Sequence, residues 1–252
     1  MNDATSDVLT YDSRDGVATI TINRPDRLNA IDASVEAALS DAWRRFNASD
    51  EDRVAVLTGA GDRAFSAGRD KEETRAPDYR RFTPGVVIEV DKPVIAAVAG
   101  WCIGGALVLV QMCDLCVAAT NAKFVYPEPK LGFAGGLIGS MPGRIPHKIA
   151  MEMMLLGEEI SAERAYQVGF VNRLVPVGRQ VDEAQAIARR MAQHAPLVMR
   201  MLKRFANDVL PKGPIEKGVL ALRETESVFA SEDFAEGLAS LRDKRSPQFK
   251  GR

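Results

Sequence analysis

Two short runs constrain this chain most: Val54-Ala55-Val56-Leu57-Thr58 and Val94-Ile95-Ala96-Ala97-Val98. Neither alternates apolar with polar side chains, as a strand with one wet face would. Strands this apolar are covered on both faces, which calls for helices packed against a largely parallel sheet. The rest of the chain supplies the expected partners. Val17 to Ile22 alternates apolar and polar side chains as a strand does, and Pro25 breaks the pattern. Asp32 is placed as the N-cap of a helix whose apolar face is Val35, Leu39, Ala42 and Phe46. A helix from about 106 to 112 follows the second apolar run, and strands follow at 115–119 and 124–126. Residues 69–82 hold nine charged side chains in fourteen and read as a solvated segment or a lid, not core. Residues 131–146 read as a loop dense in glycine and proline. Helical patterns then cover 148–156, 161–168 and 181–194, continue across Pro196 to Phe205, and finish at 233–244. The expected division is an α/β core over 1–195 and a helical extension over 196–252.

Composition excludes several function classes. Lys and Arg number 33 against 34 Asp and Glu, a formal charge of -1. That balance gives no general pull toward nucleic acid or an acidic membrane. The longest apolar stretches, 94–99 and 101–110, are interrupted by Gly100 and Gly104-Gly105, so no membrane span is expected. The stretch Met1 to Asp7 is acidic and polar, unlike a signal or transit peptide, and a cytoplasmic location is expected. Three cysteines do not make a disulfide framework, and two histidines with no Cys/His cluster argue against a metal site.

Some motifs read better as packing than as chemistry. Gly59-Ala60-Gly61-Asp62-Arg63-Ala64 fits a dinucleotide fingerprint, but the residues after it open a helix poorly and no suitably placed acid follows. It reads as a turn. Cys113-Asp114-Leu115-Cys116 sits between a buried helix and a buried strand, where cysteines are inert. Gly139-Ser140 is not a nucleophile elbow.

The two glycine turns after the apolar strands are different. Ala64-Phe65-Ser66-Ala67-Gly68-Arg69-Asp70 follows the first, and Gly100-Trp101-Cys102-Ile103-Gly104-Gly105-Ala106 follows the second and opens a helix. Small residues let a ligand approach the backbone, and amides at such turns can face an anion. Two amides meeting at one point would form an oxyanion hole. Downstream, Tyr126-Pro127-Glu128-Pro129 fixes one carboxylate between two prolines, a placement suited to a general base.

In order, these segments resemble the crotonase family, also called the enoyl-CoA hydratase/isomerase superfamily. The resemblance runs through Asn23-Arg24-Pro25 to Asn29-Ala30, Ala64 to Asp70, Pro93 to Asp114, Phe124 to Gly132, Ser161 to Asn172, and Glu236 to Phe249. It implies a crotonase-like (ClpP/crotonase) α/β fold, a spiral core of ββα units with a C-terminal helical extension. It implies a CoA thioester as substrate, no separate cofactor, and homotrimers or dimers of trimers. Carried over by position, the main-chain N–H groups of Arg69 and Gly105 become the oxyanion donors. Arg24, Arg27, Ala30, Ala67, Gly68, Asp70 and Gly104 lie along the CoA path. Lys244 resembles a lysine that reaches a CoA phosphate, often from a neighbouring subunit. Hydratases of the family carry two glutamates. One matches Glu128; at the other position this chain has Val108.

A single base suffices to move a proton from one side of a double bond to the other. The expectation is therefore an enoyl-CoA isomerase-type reaction, with Arg69 and Gly105 holding the enolate and Glu128 moving the proton. The first alternative is a hydratase that recruits another group. Tyr126, expected on the same strand face as Glu128, and Asp70, Glu72 and Glu73 of the charged segment are the candidates. The second is an acyl-CoA-binding or scaffold protein with little catalysis.

Overall fold

The computed structural model describes residues 7–133 and 135–252; the N-terminal stretch read above falls, but for Asp7, outside them. Strands β1 (Leu9–Arg14) and β2 (Val17–Ile22) form an antiparallel hairpin, and α1 (Ala33–Ala48) follows. Three ββα units come next. The first is β3 (Val54–Gly59), β4 (Ala64–Ser66) and α2 (Tyr79–Phe82). The second is β5 (Val94–Val98), β6 (Trp101–Ile103) and α3 (Gly105–Met112). The third is β7 (Leu115–Ala119), β8 (Lys123–Val125) and α4 (Glu128–Leu131). A 3-10 segment at Leu137–Gly143 leads to α5 (His147–Leu156), β9 (Ile160–Ser161), α6 (Ala162–Gln167) and β10 (Arg173–Val175). Helices α7 (Gln180–Ala192), α8 (Pro196–Val209), α9 (Pro214–Phe229) and α10 (Glu232–Arg242) complete the chain.

The long strand of each unit enters one sheet and the short strand another. The six-stranded sheet runs β1-β2-β3-β5-β7-β10, parallel except for its β1 edge; the four-stranded sheet runs β4-β6-β8-β9. The two apolar runs are covered on both faces, as their composition requires. Ala55, Leu57, Val94, Ala96 and Val98 join the main core with Trp43 and Phe46 of α1. The alternate residues Val54, Val56, Ile95 and Ala97 pack beneath α7 against Ala184, Ile187 and Ala188. Asp32 caps α1 as expected, its Oδ1 accepting the Val35 N–H at 2.9 Å, a bond worth about 1 kcal/mol.

Several expectations change. The charged segment 69–82 is not all solvated: α2 buries Phe82 completely. The helical pattern does not run unbroken across Pro196. It stops at Ala192 and restarts with Pro196 in the first turn of α8, where a missing N–H costs nothing. The expected boundary at 195 falls in this short link. Strand β1 and helix α9 were not anticipated, nor were β4, β6 and β9. Glu128 does not end a strand: β8 stops at Val125 and Glu128 opens α4, so the same-face argument linking it to Tyr126 does not hold. The proline-rich loop contains the Leu137–Gly143 helical segment.

Candidate active site

Strands β4, β6 and β8 are parallel neighbours, so their C-terminal ends lie along one edge. The segment after each end carries an expected site residue: Gly68 and Arg69 after β4, Gly104 and Gly105 after β6, Glu128 after β8. The topology alone therefore brings the three together. The ends are tied directly, with Gly104 N–H donating to Val125 O at 2.8 Å.

The first turn is braced from the other side by the loop at 28–31. Ala67 N–H donates to Leu28 O, Ile31 N–H to Gly68 O, and Asp70 N–H to Ile31 O, at 2.7–2.9 Å. Backbone groups alternate in direction along an extended segment, so this pairing turns the Arg69 N–H to the opposite side. Gly68 has φ +78°, and a Cβ there would lie 2.5 Å from Ile103 O and 3.6 Å from Gly105 N. The two turns thus pack backbone against backbone. Among the described residues, neither the Arg69 N–H nor the Gly105 N–H has a hydrogen-bond acceptor. Gly105 begins an α-helix, which adds the favourable end of the helix dipole. The Arg69 guanidinium points elsewhere and donates to Glu73 O at 2.7 Å.

Glu128 is 5% exposed. A Cβ at Gly104, whose φ is +59°, would lie 2.7 Å from Glu128 Oε1, so only glycine leaves room for the carboxylate. Glu128 Oε2 has no hydrogen-bond partner among the described residues. Burial pushes its pKa up to about 7, against an opposing hydrogen bond from its own backbone. A carboxyl poised there both takes and returns protons near neutrality.

The structure distributes the other expected residues over different tasks. Val108 is buried within the apolar core on α3. Arg24 Nη2 lies 3.0 Å from both Asp32 and Asp70, and Nη1 donates to Ala30 O at 2.7 Å. This cluster fastens the first loop to the first turn, and Asp70 and Ala30 belong to it. Asn29, 1% exposed, completes the brace by donating to Ala60 O and Ala64 O. Arg27 pairs with Glu72 on the surface. Ala67 is half-buried beside the turn. Lys244 stands exposed beyond α10, which packs on α9. Tyr126 is buried, and its pKa is raised first by burial and then by the Glu128 charge; the Gly135 amide opposes the rise.

One residue at the site was not anticipated. Tyr79, at the start of α2, lies directly against Gly105, where a Cβ would fall inside the phenol. Its hydroxyl is buried without a partner among the described residues. Burial raises its pKa, and the charge of Glu128 raises it further, while Arg69 opposes. The three cysteines are free thiols whose pKa values burial raises, in keeping with inert core residues. Among the described residues no group of three or more His, Cys, Asp and Glu side chains is gathered as a metal site. No described helix is long and apolar enough to cross a membrane.

Paired glycine turns on a spiral of ββα units, with one buried glutamate facing them, define an acyl-CoA enzyme of the crotonase type. The family model for enoyl-CoA hydratase/isomerase matches residues 12–252. The chain is 36% identical to the (E)-benzylidenesuccinyl-CoA hydratase of Thauera aromatica, over 96% of this chain and 99% of that protein. It is 38% identical to the carnitinyl-CoA dehydratase of Salmonella paratyphi A, over 94% and 95%. Among solved structures it matches a carnitinyl-CoA hydratase from Mycobacterium avium with a TM-score of 0.75 at 34% identity, covering 98% of this chain and 100% of that one. A probable enoyl-CoA hydratase/isomerase from Mycobacterium abscessus matches with a TM-score of 0.76 at 36% identity, over 98% and 100%. The chain belongs to the enoyl-CoA hydratase/isomerase family.

Proposed function

We propose that this enzyme moves a proton at the α-carbon of an acyl-CoA thioester through an enolate, with Glu128 as the proton carrier. The observation that carries this is the Glu128 carboxylate itself: buried, lacking a partner for one oxygen among the described residues, and held against the Gly104-Gly105 turn. The thioester oxygen would take the Arg69 and Gly105 N–H groups, each contributing about 3 kcal/mol to enolate stabilisation. Glu128 would remove the α-proton as that charge develops.

Two reactions follow from the same enolate. Returning the proton two carbons away shifts the double bond and needs Glu128 alone; Val108 in place of a second acid supports this isomerisation. Losing an oxygen from the β-carbon, or adding water there, also needs a donor for that oxygen. The printed names of the relatives, hydratase and dehydratase, favour water chemistry, and so does the phenol beside Gly105. We therefore place reversible hydration of an enoyl-CoA first and isomerisation second. Glu128→Gln is expected to abolish turnover on an acyl-CoA panel that includes crotonyl-CoA and a β,γ-enoyl-CoA, with CoA-ester binding by calorimetry retained. Binding with no turnover by the wild-type enzyme on that panel would instead support the scaffold reading. The exposed apolar side chains Leu197, Leu202, Phe205 and Val209 of α8 and Leu241 of α10 support the trimeric or hexameric assembly that the resemblance implies. Sedimentation of the full chain tests it, and a monomer at micromolar concentration would refute it.

A further inference from the structure

Two buried side-chain oxygens at the Gly104-Gly105 turn have no partner among the described residues: Glu128 Oε2 and the Tyr79 hydroxyl. The first is the proton carrier proposed above. The second makes no hydrogen bond to the described residues, although leaving a buried hydroxyl unpaired is costly. Phenylalanine would fill the same volume without that cost.

The phenol is not there by looseness of α2. Asp78 N–H donates to Glu36 Oε2 at 2.9 Å, Ser40 Oγ donates to Arg81 O at 3.2 Å, and Trp43 Nε1 donates to Phe82 O at 2.8 Å. Fully buried Phe82 anchors the same turn, and its ring packs on Tyr79 at 4.9 Å between centroids. Helix α1 thus holds the Tyr79 ring against Gly105. Tyr126 is the other tyrosine under the influence of Glu128, but the Gly135 amide already engages it. Tyr79 is the one whose hydroxyl has no partner among the described residues.

We propose that Tyr79 is the second proton-handling group of this site, its hydroxyl donating to the oxygen carried by the β-carbon of the acyl chain. The proposal rests on the enolate reading above. In elimination, Glu128 takes the α-proton and the C–H electron pair passes through the enolate into the new Cα–Cβ double bond. The Cβ–O bond breaks with its pair going to oxygen, and that hydroxide takes the Tyr79 proton and leaves as water. Protonated Glu128 then returns its proton to the phenolate, directly or through that water, restoring both groups. Addition of water runs the same steps in reverse. Burial and the neighbouring Glu128 charge both favour the neutral phenol, so the donor stays loaded. Val108, buried in the apolar core, offers the β-oxygen nothing. Tyr79 reaches the turn from a different element of the fold.

Tyr79→Phe keeps the ring and removes the hydroxyl. Wild type, Tyr79→Phe and Glu128→Gln are compared on α-proton exchange of butyryl-CoA in deuterated water, hydration of crotonyl-CoA and dehydration of 3-hydroxybutyryl-CoA. Tyr79→Phe is expected to exchange within about threefold of wild type, with a melting temperature equal to or above that of wild type, while hydration and dehydration fall about 100-fold or more. Glu128→Gln is expected to lose all three. Hydration by Tyr79→Phe within about threefold of wild type, or exchange and hydration lost in equal proportion, overturns the role given to Tyr79. So does a wild-type enzyme that exchanges butyryl-CoA but neither adds nor removes water. Exchange retained by Glu128→Gln overturns the enolate reading instead.

Discussion

Two polar assemblies sit on either side of the turn at 67–70, and they are built on opposite principles. On one side Arg24, Asp32 and Asp70 form a cluster in which the charges face opposite charges at 3.0 Å. On the other side Glu128 Oε2 and the Tyr79 hydroxyl are buried without a partner among the described residues. The first assembly fixes the turn in place. The second leaves hydrogen-bonding capacity unused among the described residues. The contrast separates a brace from a reaction site more sharply than sequence position does, because Asp70 and Arg69 are adjacent yet serve different sides.

The largest expected effect tests the unpaired side. Glu128→Gln is predicted to cut turnover about 10³-fold, within the usual range for a lost acid/base group, with no loss of stability at pH 8. Paired charges predict the reverse pattern. Arg24→Ala leaves Asp32 and Asp70 together without their cation and is predicted to cost about 3 kcal/mol in urea unfolding. Its turnover should fall only as far as the turn relaxes. Equal stability losses for the two variants would erase the distinction.

Gly104→Ala is intermediate, because it strikes the seam between backbone and chemistry. Its Cβ would meet Glu128 Oε1 at 2.7 Å from a backbone with φ +59°. A cost of about 2 kcal/mol is predicted by thermal unfolding. A loss of turnover of about 100-fold should accompany it, as the carboxylate is displaced.

The most gradual effect concerns pH. The pKa of Glu128 in the folded chain is raised from 4.5 to about 7, so between those values the native state binds more protons than the unfolded state. Its contribution to stability is therefore greatest below pH 4.5, declines as pH rises toward 7, and levels off above. The slope is at most about 1.4 kcal/mol per pH unit. Glu128→Gln lacks this dependence, so the stability difference between it and wild type should shift in its favour across that window. Calorimetric melts from pH 5 to 8 check the sign.

Much of this was legible in the sequence, for identifiable reasons. Strands β2, β3, β5 and β7 declare themselves because five or six residues in a row are branched or apolar. Gly68, Gly104 and Glu128 stand out because glycines directly after a strand, and a carboxylate between prolines, are unusual local chemistry. The short strands β4 and β6 hold only three residues each, too few for periodicity to register, so the sheet that aligns the site was missed. The pairing of Arg24 with Asp70 was not legible, because a charge pair 46 residues apart leaves no local trace. Tyr79 was hidden by its surroundings. The charged residues around it suggested solvent, and the only counter-signal was its spacing of three from Phe82, one helical turn.

The central claim is that the buried Glu128 carboxylate carries the α-proton. The rate of α-proton exchange of butyryl-CoA in deuterated water, followed against pH, measures that step alone. The account predicts a rate that rises about tenfold per pH unit below 7, levels off near pH 7–8 as the carboxylate ionises, and vanishes in Glu128→Gln. Exchange that persists in Glu128→Gln with the same pH profile would contradict it.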